Sequence, residues 1–393
     1  MLNTAKPRVA IFVEYYLPGF RAGGPMRSVS ALVDRLGQEI DFYVITRDRD
    51  EGDDTPYADL VPGQWKPVGK ATVRYLSPGE IRMRQLATLV HEIQPHAIYL
   101  NSFFAPMSLR ILLARRLGVL HAVPIVLAPR GELSAGALRL KAVKKRSFLH
   151  LADRTGLYRD VIFHASTEIE SADILRVIQG ASAPRVARNP ITVDPMTRAG
   201  CVKTPGAARF VFLSRIARKK NLHVAIELLR SLKGAVEFDI YGPVIDGAYW
   251  RDCQKLIAAM PTNVTVVYRG PVGHEAVQAA LSAHHFFFMP TANENFGHAI
   301  VEALLAGCPL VTSDQTPWRG LAKRGAGWDL ALDAPDEWRR VLQACVDMDA
   351  PAYERASRSA RSLGQQIAST DTDRENRELF RSILPNLSFE GAR

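Results

Sequence analysis

The 393 residues are 47% hydrophobic and 23% charged, a balance that excludes a disordered chain and, at this length, favours two domains over a single core. The longest apolar run, His284 to Pro290, is too short for a bilayer span, and no signal-peptide core opens the chain. Cys201, Cys253, Cys308 and Cys345 lack paired spacing, so a cytoplasmic protein with reduced thiols is expected, without a zinc site or disulfide framework. The net charge of +10 is concentrated in the first half, where residues 1–190 carry 26 basic against 18 acidic side chains.

A first strand, RVAIFVEY from Arg8, runs into LPGFRAGGPMRSVSALVDRL, where Gly19, Gly23 and Gly24 precede a helical pattern. Such a loop is either a tight turn or a cradle in which backbone amides and a helix start meet an anion. It lacks the G-x-G-x-x-G spacing of nicotinamide-binding folds. DFYVIT from Asp41, ATVRYL from Ala71, AIYLNS from Ala97, PIVLAPRG from Pro124 and IFHAST from Ile162 follow, most with a helical segment behind them, as in a parallel sheet covered by helices. Asp48-Arg49-Asp50 is formally a D-x-D metal motif, but its hydrophilic surroundings read as a solvated turn.

From Arg130 to Arg159 eight basic residues (Arg130, Arg139, Lys141, Lys144, Lys145, Arg146, Arg154, Arg159) stand against Glu132 and Asp153. This stretch is either a solvated helix face or a surface for phosphates, those of an anionic membrane or of a lipid diphosphate. Aromatics are not interleaved with the cations as a base-stacking platform requires, so nucleic acid is not an expected partner.

A proline-bearing joint, Asn189 to Pro205, separates this half from a restart of the same grammar: RFVFLSRI from Arg209, VEFDIYG from Val236, NVTVVYRG from Asn263, HFFFMPT from His285 and CPLVTS from Cys308. The expected fold class is α/β, with two doubly wound Rossmann-like domains, 1–190 and 191–370, facing across a cleft. A tail, 371–393, holds an amphipathic helix from Asp371 to Leu384, expected to pack back on the first domain. Ligands of such sheets bind beyond the carboxyl ends of the strands.

Two post-strand loops of the second half carry chemistry. In SRIARKKN, Ser214 to Asn221, Arg215 stands at a strand end and Lys220 at a helix opening, so the segment is either a basic turn or a pair of cations converging on a diphosphate. In PTANENFGHAIVEALLAGCPLVTSD, Pro290 to Asp314, the loop bears Glu294 and the helix beginning near His298 bears Glu302. Amides around Asn295, Phe296, Gly297 and His298 form a nest for anions and hydroxyls, and ionised carboxylates accept the directed hydrogen bonds of a sugar. His284 and His285 abut an apolar strand and read as structural; His298 reads either as a ligand contact or as helix-start packing.

FRAGGP (Phe20 to Pro25), LSRIARKKN, ENFGHAIVEALLAGCPLVTSD, TPW (Thr316 to Trp318) and GAGW (Gly325 to Trp328) together resemble the family 4 glycosyltransferases, especially the branch that builds bacterial surface polysaccharides. The resemblance covers roughly Arg8 to Trp338 and is tighter in the second half. It implies a GT-B fold and a retaining, metal-independent transfer from a UDP- or GDP-linked sugar to a glycan or lipid-linked acceptor, with the nucleotide sugar as co-substrate and no cofactor. Arg215 and Lys220 would hold the donor diphosphate, Glu294 the sugar hydroxyls and Glu302 the ribose. Amides near Phe296 and Gly297 would bind the sugar and distal phosphate, and Gly23 and Gly24 would line the cleft from the other side. Where many members place a histidine after the strand PIVLAPRG, this chain has Arg130, a fixed cation suited to phosphate charge or to positioning the acceptor but not to general-base work; Glu132 is the candidate for moving a proton. Peripheral contact with an anionic membrane is a further expectation. The alternatives are a GT-B-fold epimerase or phosphorylase, a nicotinamide oxidoreductase, or a non-catalytic nucleotide-sugar-binding protein.

Overall fold

The computed structural model describes residues 6–61, 63–139, 142–191, 201–369 and 371–384. Part of the proline-bearing joint (192–200) and Lys141 of the basic stretch lie outside the described residues. The chain divides into two compact units, Met1–Ile191 with Asp371–Arg393, and Thr192–Thr370.

The first unit is built on β1 (Arg8–Phe12), β2 (Asp41–Arg47), β3 (Trp65–Val68), β4 (Ala71–Leu76), β5 (Ala97–Asn101), β6 (Ile125–Ala128), β7 (Val161–Ala165) and β8 (Arg185–Val186), in the order β3-β4-β2-β1-β5-β6-β7-β8. All pairings are parallel except β3 with β4. β5 is buried along its whole length because both sheet faces are covered. Ile98 and Leu100 point into one core with Leu86, Ile111 and Phe163. Ala97 and Tyr99 point into the other with Val29, Leu32 and Phe380. The helix Thr372–Ile383, C-terminal in sequence, belongs to this second face: Phe380 meets Phe42 and Tyr99 at ring centroids of 6.0 Å, and Arg377 donates both arms to Glu39 at 2.7 Å.

The second unit is a six-stranded parallel sheet of β9 (Ala207–Leu213), β10 (Ala235–Tyr241), β11 (Val264–Gly270), β12 (Phe286–Met289), β13 (Leu310–Ser313) and β14 (Gly327–Leu330), in the order β11-β10-β9-β12-β13-β14. The chain leaves β9 toward one edge and β12 toward the other, so the loops behind these neighbours flank a topological switch point. Strands expected from sequence are present at each of the eleven apolar runs. The sequence reading did not anticipate β3, β8 and β14.

Asp50 corrects the solvated-turn reading of Asp48-Arg49-Asp50. It is buried, and its carboxylate accepts the Phe20 amide at 2.8 Å and the Arg21 amide at 3.2 Å, clamping the glycine loop before helix Gly24–Leu36. A Cβ on Gly19 would press Asp50 Oδ1 at 2.8 Å, which accounts for that glycine by space.

His164 ties β7 into this unit, Nδ1 lying 2.7 Å from the Tyr99 hydroxyl and Nε2 2.8 Å from the Ala187 carbonyl. Burial, with the Arg130 guanidinium nearby, pushes its pKa down to about 3. A folded value below the unfolded one means that stability is lost as pH falls through the unfolded pKa, because only the unfolded chain then takes the proton. With an unfolded pKa near 6.5, the expected loss is about 2 kcal/mol between pH 7 and pH 5. Denaturant midpoints at both pH values check this; His164→Gln should remove that part of the pH-5 loss, and an unchanged loss would assign it elsewhere.

Candidate active site

The loops behind β9 and β12 are laced together. The Ala292 amide donates to the Lys219 carbonyl at 2.8 Å, Thr291 Oγ1 donates to the same oxygen at 3.2 Å, and Asn221 Nδ2 donates to the Pro290 carbonyl at 3.0 Å. Within this frame Lys220 closes a 3₁₀ turn, Arg218–Lys220, and is only 6% exposed. Its Nζ donates to Glu294 Oε2. A lysine so withdrawn from water requires an anionic partner, and a carboxylate on the neighbouring loop supplies it.

Glu294 is held in turn by its own amide, which donates to the Gln315 carbonyl behind β13 at 2.9 Å. Three residues on, Gly297 stands at φ 79° as the cap of helix His298–Leu305, with no side chain capping that start. A Cβ at this position would lie 2.9 Å from both Glu294 Cγ and Ile300 Cδ1, so glycine is required by conformation and by space. The Ile300 amide closes the first turn on the Gly297 carbonyl at 2.9 Å, and the helix dipole is positive at that end. The loop is pinned by Trp318, whose Nε1 donates to the Phe296 carbonyl at 2.6 Å and whose ring meets Phe296 edge-on at 5.5 Å; the His298 ring lies 4.9 Å from that of Phe296. Asn295 lies between Glu294 and Phe296 on this loop, half-buried.

Glu302, one turn into the helix, is buried, with Oε1 3.9 Å from Nδ1 of His274 at the start of helix His274–Ser282. Arg215 follows β9 by two residues and is half-buried. The residues on each side of it are fixed to the β10 loop: Ser214 N donates to the Tyr241 carbonyl at 3.0 Å and Ile216 N to the Pro243 carbonyl at 2.9 Å. Thus Lys220, Glu294, Phe296, Gly297, His298 and Glu302 are set on two interlocked loops and one helix, with Arg215 at the root of the first loop. The arrangement presents cations, amides and carboxylates beyond the carboxyl ends of β9 and β12, the chemistry a phosphorylated sugar calls for.

Gly23, Gly24 and Arg130 belong to the first unit. Gly23, at φ 74°, caps helix Gly24–Leu36 without a side-chain cap. Arg130 follows β6 at φ 57°, and each of its three nitrogens is engaged inside the unit: Nε donates to Asn101 Oδ1 and an Nη to the Tyr99 hydroxyl, both at 2.8 Å, and the other Nη donates to Asn189 Oδ1. Glu132 accepts the Phe104 amide at 2.9 Å. The Arg130 loop is also secured by Glu170, buried, which takes the Gly131 amide at 2.6 Å and the Ser166 amide and hydroxyl at 2.8 Å. His284 and His285 are bonded to backbone carbonyls at Ala280 and Val202.

The sequence reading did not single out Gly242, at φ 138°, where a Cβ would overlap the Ser214 carbonyl. Its only sequence signal is a glycine directly after a strand. Nor did it single out His274, a lone histidine 28 residues before the carboxylate it faces.

Residues 199–362 match the family model described as Glycosyl transferases group 1. That stretch is similar to the group 1 glycosyltransferases. It contains the whole Lys220–Glu294–Glu302 constellation. Over 171 residues, 43% of this chain, the sequence is 25% identical to a 2-deoxystreptamine glucosyltransferase from Streptomyces kanamyceticus, and the match spans 44% of that relative's length. Among solved structures, Anabaena Alr3699/HepE in complex with UDP-glucose aligns over 97% of this chain and 100% of its own, with a TM-score of 0.68 and 16% identity. WaaG, a glycosyltransferase involved in lipopolysaccharide biosynthesis, aligns over 95% and 99%, with a TM-score of 0.68 and 14% identity. The fold is therefore the two-domain GT-B type.

Proposed function

We propose that this GT-B protein is a retaining glycosyltransferase that moves a sugar from a UDP- or GDP-linked donor to a hydroxyl of a lipid-linked or lipopolysaccharide-type glycan. The observation that carries the reading is the Lys220–Glu294 pair beside the Gly297-capped helix start, at the switch point of the group 1 domain. UDP-glucose in HepE and the lipopolysaccharide role of WaaG supply the donor and acceptor classes.

In this reading the donor diphosphate takes Glu294's place as the partner of Lys220, and Arg215 adds a second cation. The Glu294 carboxylate turns to the sugar hydroxyls and Glu302 to the ribose. As the glycosidic bond lengthens, charge develops on the departing diphosphate, where the cations and first-turn amides already stand. That set supplies the neutralisation a divalent ion gives elsewhere, so turnover is expected to survive chelators. Arg130, engaged within its own unit, serves here to hold the β6 loop beside the acceptor rather than to carry a proton.

Thermal melting of the intact protein against a panel of UDP- and GDP-sugars tests the donor. At a hundredfold excess over Kd, a ligand of the folded state contributes about 2.7 kcal/mol, raising the melting point of a domain this size by roughly 5–10 °C. One nucleotide sugar should do so, and transfer from it to a glycan acceptor should retain the anomeric configuration. No stabilisation by any member of the panel, or an inverted product, overturns the assignment.

A further inference from the structure

Between β14 and helix Ala350–Ala368 the second unit holds a recess of about 250 Å³. Trp328 and Met348 stand on one side of it, and one face of the helix presents Ala352, Arg355, Ala356 and Ser359 on the other. These four positions share a face because they are spaced three and four residues apart. Two of them are alanines, half-buried, so the helix offers only methyl groups to the hollow. Gly325 and Gly327 complete the lining at φ 64° and φ 138°, where a larger residue is strained.

Both walls are set before any ligand arrives. Trp328 is registered against Val311 of β13. The Met348 carbonyl accepts Lys203 Nζ at 2.8 Å, and that lysine, 2% exposed, also holds the Val346 carbonyl at 2.8 Å. Asp349 fixes the helix start by accepting the Ala352 amide at 2.8 Å.

The lining has one charged side chain. Arg358 lies 3.8 Å from Glu354, but the Arg355 guanidinium has no ion pair among the described residues. The loop before β14 adds Lys323 and Arg324, both exposed, to the same positive side. An unpaired guanidinium suits a planar carboxylate, which it can take with two parallel hydrogen bonds. An indole and a thioether suit a flat apolar ring. Volume sets the size: the recess exceeds the roughly 150 Å³ cavity that takes up benzene and falls short of the roughly 300 Å³ at which drug-sized pockets begin.

We propose that this recess binds a small aromatic monocarboxylate of one or two rings, its ring between Trp328 and Ala352 and Ala356 and its carboxylate on Arg355. The recess lies at the amino end of β14, whereas the loops bearing Lys220 and Glu294 leave the carboxyl ends of β9 and β12. The sheet is parallel, so the ligand occupies the end opposite the candidate active site and is an effector rather than a substrate. The proposal is independent of the glycosyltransfer reading.

Titration calorimetry of the full chain with 2-naphthoate and with its neutral counterpart, 2-naphthamide, tests this. The carboxylate should bind at one site with a Kd of about 1 mM or tighter. The amide should bind about tenfold more weakly, having lost the charge-assisted hydrogen bonds. Arg355→Gln should bring the carboxylate down to the affinity of the amide and leave the amide unchanged. Ala356→Leu, which fills the hollow, should remove binding of both. Each variant should keep the wild-type melting temperature; should Ala356→Leu fail to fold, Arg355→Gln, at an exposed position, decides alone. Absence of naphthoate binding, equal affinity for the amide, or an Arg355→Gln protein that still prefers the anion overturns the proposal. Binding retained by a folded Ala356→Leu places the ligand elsewhere and overturns it as well.

Discussion

Lys220→Met is expected to lower transfer by about 10²–10³-fold, the usual effect of removing one preorganised group from a site of developing negative charge. Lys220 is poised for this because the interlocked loops fix it before any ligand arrives: the backbone on either side is bonded to the β12 loop through the Lys219 carbonyl and the Asn221 side chain. The same burial makes the pair a structural liability. Glu294→Gln leaves a buried ammonium without its carboxylate, and Lys220→Met leaves the carboxylate without its cation, so each single change should cost about 2–4 kcal/mol. The double change removes both charges and should restore most of that stability while leaving transfer as low as in the weaker single variant. Chemical denaturation and steady-state kinetics on the four proteins separate the two effects. A double variant that regains activity along with stability would show the pair to be a scaffold and remove it from the chemistry.

Much of this was legible in the amino-acid order, and the reasons for success and failure are physical. AIYLN and FFFM are buried on both faces, so apolar runs announced them without ambiguity. WKPV could not announce itself: it is an antiparallel edge strand with exposed positions and a proline, tolerated there because an edge amide need not pair. GWDL of β14 carries a glycine and an aspartate, and reads as a strand only once β13 is in place beside it. In the site, Lys220, Glu294 and Gly297 were visible because residue type and position relative to a strand end suffice to name them. The pairing of Lys220 with Glu294 depends on β9 and β12 being neighbours, a fact of strand order rather than of local pattern. Asp50 misled for a related reason: its hydrophilic neighbours describe the loop it sits in, while its carboxylate is turned toward Phe20 and Arg21, thirty residues away in sequence.

Gly242→Ala should destabilise the second unit by on the order of 3 kcal/mol or more, lowering its melting point by roughly 6–12 °C. Two costs combine there. At φ 138° an L side chain is strained whatever the space, and a Cβ would overlap the Ser214 carbonyl and lie 3.4 Å from the Arg215 amide. Two controls divide these costs. Gly270 has φ 81° and nothing within 4 Å of a Cβ, so Gly270→Ala reports the backbone cost alone, about 1 kcal/mol. Gly327, also at φ 138°, would drive a Cβ into the Leu310 carbonyl at the amino end of β14, away from the loops behind β9 and β12. Gly327→Ala should therefore match Gly242→Ala in stability but keep nucleotide affinity in the folded fraction. Gly242→Ala should lose it, because the only way to seat the methyl is to push the Ser214–Arg215 backbone off β10. Equal affinities in the two folded variants would mean that the approach of Gly242 to Ser214 packs the sheet without setting the cation that follows it.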